Sequence, residues 1–131
     1  MTHDYTWFAI FVALNGLNLL ILGAYISYVR FTQKIANGDG GFKPLKKAIR
    51  AHGNAVEHTT IFALEILALT YLKLDSKWLG VLVIAFTLMR VFHAYGMLKP
   101  NFTPRRIGAG VTFLLQGIAV IVLFCLMLGL M

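Results

Sequence analysis

The sequence has little negative charge and few charged residues of any kind. Its 131 residues include 5 Asp and Glu against 12 Lys and Arg, which gives a net charge of +7. Charged residues make up 13% of the chain and apolar residues 59%, whereas ordinary soluble domains have about 25% and about 45–50%. This composition argues against a soluble domain and predicts an integral membrane protein.

Several kinds of chemistry are also missing. The single cysteine, Cys125, lies in an apolar run, so no internal disulfide can form and nothing nearby would hold a thiolate. His52 and His58 are on different faces of a helix, so we expect no metal site. No Ser–His–Asp set appears at membrane depth. The basic residues cluster beside apolar segments, as orientation in a bilayer requires, and therefore do not indicate nucleic-acid binding.

Four apolar segments are long enough to cross a hydrocarbon core of about 30 Å. We therefore expect an all-α membrane protein, a bundle of four transmembrane helices per subunit, with one domain over residues 1–131. Asn15 and Asn18 in the first segment are expected to form interhelical hydrogen bonds, and Gly53, Gly108, Gly110 and Gly117 to lie at close helix contacts. The predicted segments are residues 7–29, 44–74, 78–98 and 107–131.

The Lys and Arg residues are distributed unequally between the two sides of such a bundle. Only Lys73 and Lys77 fall on the side of the second connection, and the other ten fall on the opposite side. The positive-inside rule then places both termini outside and both basic connections in the cytoplasm.

The second segment carries most of the polar chemistry, on one stripe of the helix. At about 100° per residue, its polar side chains fall within an arc of roughly 100°. Ionisable groups at membrane depth are costly, so they face a bundle interior or a polar cavity and often mark a functional site. The alternative is a buried polar network that only fastens helices together. The residues of this polar stripe are Arg50, Asn54, Glu57, His58 and Glu65.

Other polar residues are expected to converge with this stripe at the cytoplasmic interface. Arg90 and His93 end the third segment, and Arg105 and Arg106 precede the fourth. Guanidinium groups bind carboxylates in a bidentate way, and a nearby Arg favours a thiolate over a thiol. The junction therefore suits a small anionic ligand from the cytosol that meets an apolar partner from the lipid.

The run from Arg50 to His58 resembles the second-helix signature of the MAPEG family, the membrane-associated proteins of eicosanoid and glutathione metabolism. That signature has an Arg, an Asn four residues later and a Glu three residues after that, here Arg50, Asn54 and Glu57. Residues 38–42 and 90–96 look like those of a small bacterial inner-membrane branch. The resemblance extends over essentially the whole chain.

The resemblance implies a homotrimer in the bacterial inner membrane that binds glutathione as co-substrate at the cytoplasmic end, between neighbouring subunits. Arg105 or Arg106 would stabilise the thiolate, and the resemblance does not choose between them. His58 stands where many relatives have Tyr, and His93 and Met97 replace ligand-binding tyrosines of some animal members. The residues expected to hold glutathione are Arg30, Arg50, Asn54, Glu57, His58, Arg90 and His93.

The leading functional hypothesis is a glutathione transferase or glutathione-dependent peroxidase acting on apolar electrophiles or hydroperoxides. One alternative is a membrane protein of the same fold that binds a lipid or thiol without chemistry, since fold does not imply activity. A third hypothesis, a small proton-coupled multidrug transporter, would rely on Glu65. It is disfavoured because such transporters use an isolated carboxylate, whereas Glu57 shares its face with Arg50.

Overall fold

The computed structural model describes residues 4–99 and 101–131, and the described residues form helices and connecting loops without strands. The predicted all-α, four-helix architecture is confirmed. The helices are α1 (Thr6–Gln33), α2 (Lys43–Tyr71), α3 (Ser76–Leu98) and α4 (Phe102–Met127).

Side-chain caps determine where α3 and α4 begin. The Asp75 carboxylate accepts a hydrogen bond from the Lys77 N–H at 2.9 Å, and Asn101 Oδ1 accepts one from the Thr103 N–H at 3.3 Å. As a result α4 begins at Phe102, ahead of the predicted start at residue 107. Pro104 is compatible with this first turn, because a backbone N–H at that position would have no intrahelical partner.

Residues with a left-handed backbone conformation mark the ends of α1 and α2. α1 continues past Arg30 to Gln33, since nothing in that stretch breaks a helix, and it ends at Lys34, whose φ is 54°. α2 ends at Tyr71 rather than at residue 74, because the chain turns at Lys73 with φ of 62°. Arg30 therefore lies within α1, one turn before its end.

Contacts at the helix ends show that helices consecutive in the chain are antiparallel, so that α1 and α3 run parallel to each other. The Trp7 indole N–H donates to Ser76 Oγ at 3.0 Å, which places the start of α1 beside the start of α3. At the opposite end, Lys43 of α2 and Lys99 after α3 line one cavity. We call this second end, which holds the α1–α2 and α3–α4 connections, the basic end.

The helices α2 and α3 form the centre of the bundle, because each contacts the three others. Within the described residues, α1 and α4 do not contact one another. Three aromatic rings join α1, α2 and α3: Phe62 stacks on Phe86 with centroids 4.0 Å apart, and Phe11 lies 5.6 Å and 5.5 Å from them. All three side chains are fully buried.

The outer surface of the bundle is apolar. α1, α3 and α4 are each long and apolar enough to cross a membrane, and large hydrophobic side chains are exposed along them. α2 is more polar and is not among these helices, so the expectation of four apolar membrane-spanning segments is confirmed for three of them. The distribution fits a lipid bilayer as the surrounding solvent, in which exposed apolar side chains cost nothing.

Two asparagines of α1 are predicted to form interhelical hydrogen bonds, and one of them does so within the subunit. Asn15 Nδ2 donates to Thr87 Oγ1 of α3 at 2.8 Å, which confirms the prediction for this residue. Asn18 Nδ2 is buried and has no hydrogen-bond partner among the described residues, so the same prediction is not met for Asn18 within the subunit.

Glycines allow α3 and α4 to approach closely at the basic end. A Cβ on Gly96 would collide with the backbone of Arg105, and one on Gly108 would lie 2.7 Å from the His93 Cβ. The expectation of close contacts is wrong within the subunit for Gly53, Gly110 and Gly117, where a Cβ would meet nothing within 4 Å. At about 100° per residue, the latter two lie roughly opposite Gly108 on α4.

Replacing Gly108 by Ala is expected to separate α3 from α4 and to lower stability by about 1–3 kcal/mol, the usual cost of overpacking. Thermal unfolding in detergent measures this loss, with Gly117→Ala as the matched control on the open face of the same helix. Equal unfolding temperatures for the two variants would contradict the packing described here.

Candidate functional site

A cavity of about 380 Å³ opens at the basic end between α2, α3 and α4. We call it the site cavity. It brings together five residues that the sequence predicted as site residues and that come from three helices: Arg50, Asn54, Glu57, His93 and Arg105. Ile49, Gly53 and Met97 complete its lining.

The wall from α2 follows from the spacing of its residues. Arg50, Asn54 and Glu57 are separated by four and then three residues, which places them on one face of the helix. Gly53 also lines the cavity, and no heavy atom lies within 4 Å of the position a Cβ would take. The glycine therefore leaves room in the cavity instead of admitting a neighbouring helix.

Arg90 lies behind the cavity and does not line it. Its side chain is fully buried, and its Nη2 donates to Asn54 Oδ1 at 2.7 Å and lies 3.4 Å from His93 Nδ1. The Arg90 Nε and Nη1 atoms have no hydrogen-bond partner among the described residues. Because Arg90 occupies the amide oxygen of Asn54, the amide N–H groups remain available to a ligand.

His58 turns away from the cavity toward α4. Its Nδ1 donates to Gln116 Oε1 at 2.7 Å, and its ring meets the Phe113 ring edge-on at a centroid distance of 5.0 Å. The residue lies about 100° around the helix from Glu57. Sequence reasoning missed Gln116, although an amide in the middle of an apolar segment was a signal that it needs a partner.

The structure separates the two adjacent arginines of α4. Arg105 lines the site cavity. The Arg106 guanidinium lies over the Phe102 ring, 5.4 Å from its centroid, beside a separate shallow groove with Thr103 and Ile107. Consecutive residues of a helix point about 100° apart, so of this pair only Arg105 lines the site cavity.

Two further residues from the sequence analysis lie elsewhere. Arg30 is at the α1–α2 connection, where its Nη1 donates to the Ala36 carbonyl at 3.4 Å. Glu65 is buried on α2 at 9% exposure, and its Oε2 has no hydrogen-bond partner among the described residues. Neither residue lines the site cavity.

A second cavity of about 440 Å³ adjoins the site cavity on the side of the helix ends. We call it the outer cavity. It shares Arg50, Met97 and Arg105 with the site cavity, and its other lining residues were not predicted as site residues. The signal in the sequence was the run of lysines flanking the spans, which also serves orientation in the bilayer. The lining residues that belong only to the outer cavity are Lys43, Lys46, Lys47, Gly96, Lys99, Asn101 and Phe102.

The site cavity combines opposite charges near the basic end of the bundle. Arg50 and Arg105 supply cations, and Glu57 is the single acid of its lining. His93 precedes the end of α3 by five residues, about 8 Å at 1.5 Å per residue. Arg50 and Glu57 are nevertheless exposed, so the subunit alone does not shield their charges from lipid.

Comparison with known proteins gives one family. Residues 8–127 match the MAPEG family. The chain is similar to the inner membrane protein YecN of Escherichia coli strain K12, with 31% identity over 105 residues that cover 80% of each chain. YecN of Escherichia coli O6:H1 strain CFT073 gives the same values. No solved structure matches.

Replacing Asn54 by Ala is expected to lower stability by about 1–3 kcal/mol, since it removes the acceptor that a buried guanidinium group uses. Asn54→Asp keeps an acceptor oxygen and should retain most of the stability. Thermal unfolding in detergent tests both variants against Glu57→Ala, which truncates an exposed side chain of the same cavity. A stability of Asn54→Ala equal to that of Glu57→Ala would contradict the role given to the Arg90–Asn54 bond.

Proposed function

The chain belongs to the MAPEG family, and we propose that it is a membrane glutathione transferase or glutathione-dependent peroxidase that acts on apolar electrophiles. The observation that carries this proposal is the meeting of Arg50, Glu57 and Arg105 in one cavity at the basic end. Ionisable groups that face a cavity within membrane-spanning helices often mark a binding site.

Glutathione matches the charges of the site cavity. It carries two carboxylates, one ammonium group and one thiol. Arg50 is suited to bind a carboxylate in a bidentate way, and Glu57 to hold the ammonium group. Asn54 and His93 supply hydrogen bonds to the peptide groups. The volume of about 380 Å³ lies within the usual range of small-molecule sites, about 300–1,000 Å³.

The proposed chemistry needs one activated thiol. The Arg105 guanidinium stabilises the thiolate, so that the thiol proton leaves to solvent at neutral pH. The sulfur then forms a bond to the electrophilic carbon, and the leaving group departs with its bonding electron pair. With a hydroperoxide, the thiolate attacks the terminal oxygen and becomes a sulfenic acid, and the departing alkoxide takes a proton from solvent to give an alcohol. A second glutathione then reacts with the sulfenic acid to give the disulfide and water.

The remaining predicted contacts take different roles in this proposal. Arg90 positions Asn54 and His93 from behind the cavity, and His58 is engaged with Gln116. Neither contacts the tripeptide. Arg30 would contact the ligand held in a neighbouring subunit's cavity.

We propose that the protein is a homotrimer whose neighbouring subunit covers the open side of the site cavity. The support is that Arg50 and Glu57 are exposed although charged groups at this depth need protein or water around them. We also propose a bacterial inner-membrane location, as in YecN, with both termini outside. The excess of Lys and Arg at the basic end would then face the cytosol, which supplies the glutathione.

Glutathione and its sulfonate analogue are both expected to bind the purified protein with measurable heat in calorimetric titration. The sulfonate bears a permanent negative charge where the thiolate would form, so it should bind more tightly than glutathione does. No heat from either compound would refute the proposed function. Binding without turnover on aryl halides and hydroperoxides would instead assign a thiol-binding role.

Arg105→Ala is expected to reduce conjugation of an aryl halide by about 10²-fold, the effect of losing one preorganised stabilising group. Arg106→Ala is the matched control and should retain turnover. Because a cation lowers the pKa of a nearby thiol, removing Arg105 raises the pKa of the bound thiol. The rate of the Arg105 variant should therefore recover as the pH rises. Equal activities of the two variants at neutral pH would remove Arg105 from the mechanism.

A further inference from the structure

The outer cavity differs from the site cavity in the sign of its charges. It is lined by six cationic side chains, and no Asp or Glu is among its lining residues. Glutathione would bring one ammonium group that needs a carboxylate, and the outer cavity has none to offer. A group with only negative charge is the better complement. The six cations are Lys43, Lys46, Lys47, Arg50, Lys99 and Arg105.

The uncapped start of α2 adds to the positive charge of the outer cavity. α2 begins at Lys43 and α4 at Phe102, and both residues line the outer cavity. Neither helix has an acidic residue in its first turn, and Phe42 at the N-cap of α2 makes no side-chain cap. The partial positive charge at the start of α2 thus remains available to an anion, whereas at the start of α4 the Thr103 N–H already donates to Asn101 Oδ1.

The outer cavity lies at the ends of apolar helices, the level at which lipid headgroups are expected. It is formed just beyond Leu98, where the apolar span α3 ends, and before the apolar part of α4. Phe102, in its wall, is 65% exposed, and an exposed aromatic ring at this level contacts the boundary between headgroups and acyl chains. The cavity therefore offers cations for a phosphate and an apolar surface beside them.

We propose that the outer cavity binds the phosphate headgroup of an anionic membrane phospholipid. The lysines of α2 and Lys99 hold the phosphate, and Phe102 contacts the start of the acyl chains. Soluble phosphate would use the cations alone, without the apolar wall. The lipid would occupy the mouth of the site cavity, where Arg50 and Arg105 belong to both linings. This proposal does not depend on glutathione binding.

The test uses the whole protein in detergent with dioctanoyl phosphatidylglycerol as the probe. The unfolding temperature is expected to rise saturably with phosphatidylglycerol and to stay constant with dioctanoyl phosphatidylcholine. A triple variant with Lys43→Gln, Lys46→Gln and Lys47→Gln should bind about a hundredfold more weakly, because each basic residue near an anionic surface contributes roughly a factor of five. These side chains are exposed, so the variant should fold.

The matched control changes Lys73 and Lys77 to Gln at the opposite end of the bundle, and it should bind like the unmodified protein. Native mass spectrometry of the unmodified protein provides a second measurement, with retention of one phosphatidylglycerol per subunit expected. Equal responses to both lipids, equal losses in both lysine variants, or the same saturable shift with inorganic phosphate would each overturn the proposal.

Discussion

The hydrogen bond from the buried Arg90 guanidinium to Asn54 is the constraint on which the basic end depends. A buried cation that loses its acceptor is strongly destabilising, so this 2.7 Å contact fixes α3 against α2. Arg50 and Glu57 lie about one turn to either side of Asn54 on α2, and His93 of α3 lines the same cavity. Gly108 then lets α4 close on His93, which sets Arg105 at the third wall.

The stripe of polar residues on α2 serves several neighbours. Arg50, Asn54 and Glu57 face the site cavity, whereas His58 bonds to α4. The division arises because consecutive residues on a helix differ by about 100° in direction. The same geometry separates Arg105 from Arg106. Polar residues that lie on one stripe of a helix in the sequence can therefore include both groups that line a cavity and groups that join helices.

Two adjoining cavities with different charge divide the basic end. The inner one contains Glu57 beside its cations, and the outer one is lined by cations without an acid. The first suits a small zwitterionic ligand from water, and the second suits a lipid phosphate. Their shared residues, Arg50 and Arg105, lie where a soluble ligand and a molecule from the membrane would meet.

The sequence by itself determined the all-α membrane class, the approximate helices and most of the candidate site residues, because composition, apolar length and helical spacing are local properties. α3 and α4 begin earlier than predicted, because the caps Asp75 and Asn101 precede the apolar segments and Pro104 is compatible with a first helical turn. Only the tertiary structure decided that Arg90 is buried behind Asn54, that His58 pairs with Gln116 and that Arg105 faces the cavity instead of Arg106. These outcomes depend on the rotation and register of helices whose contacting residues are far apart in the chain, and no local pattern records them.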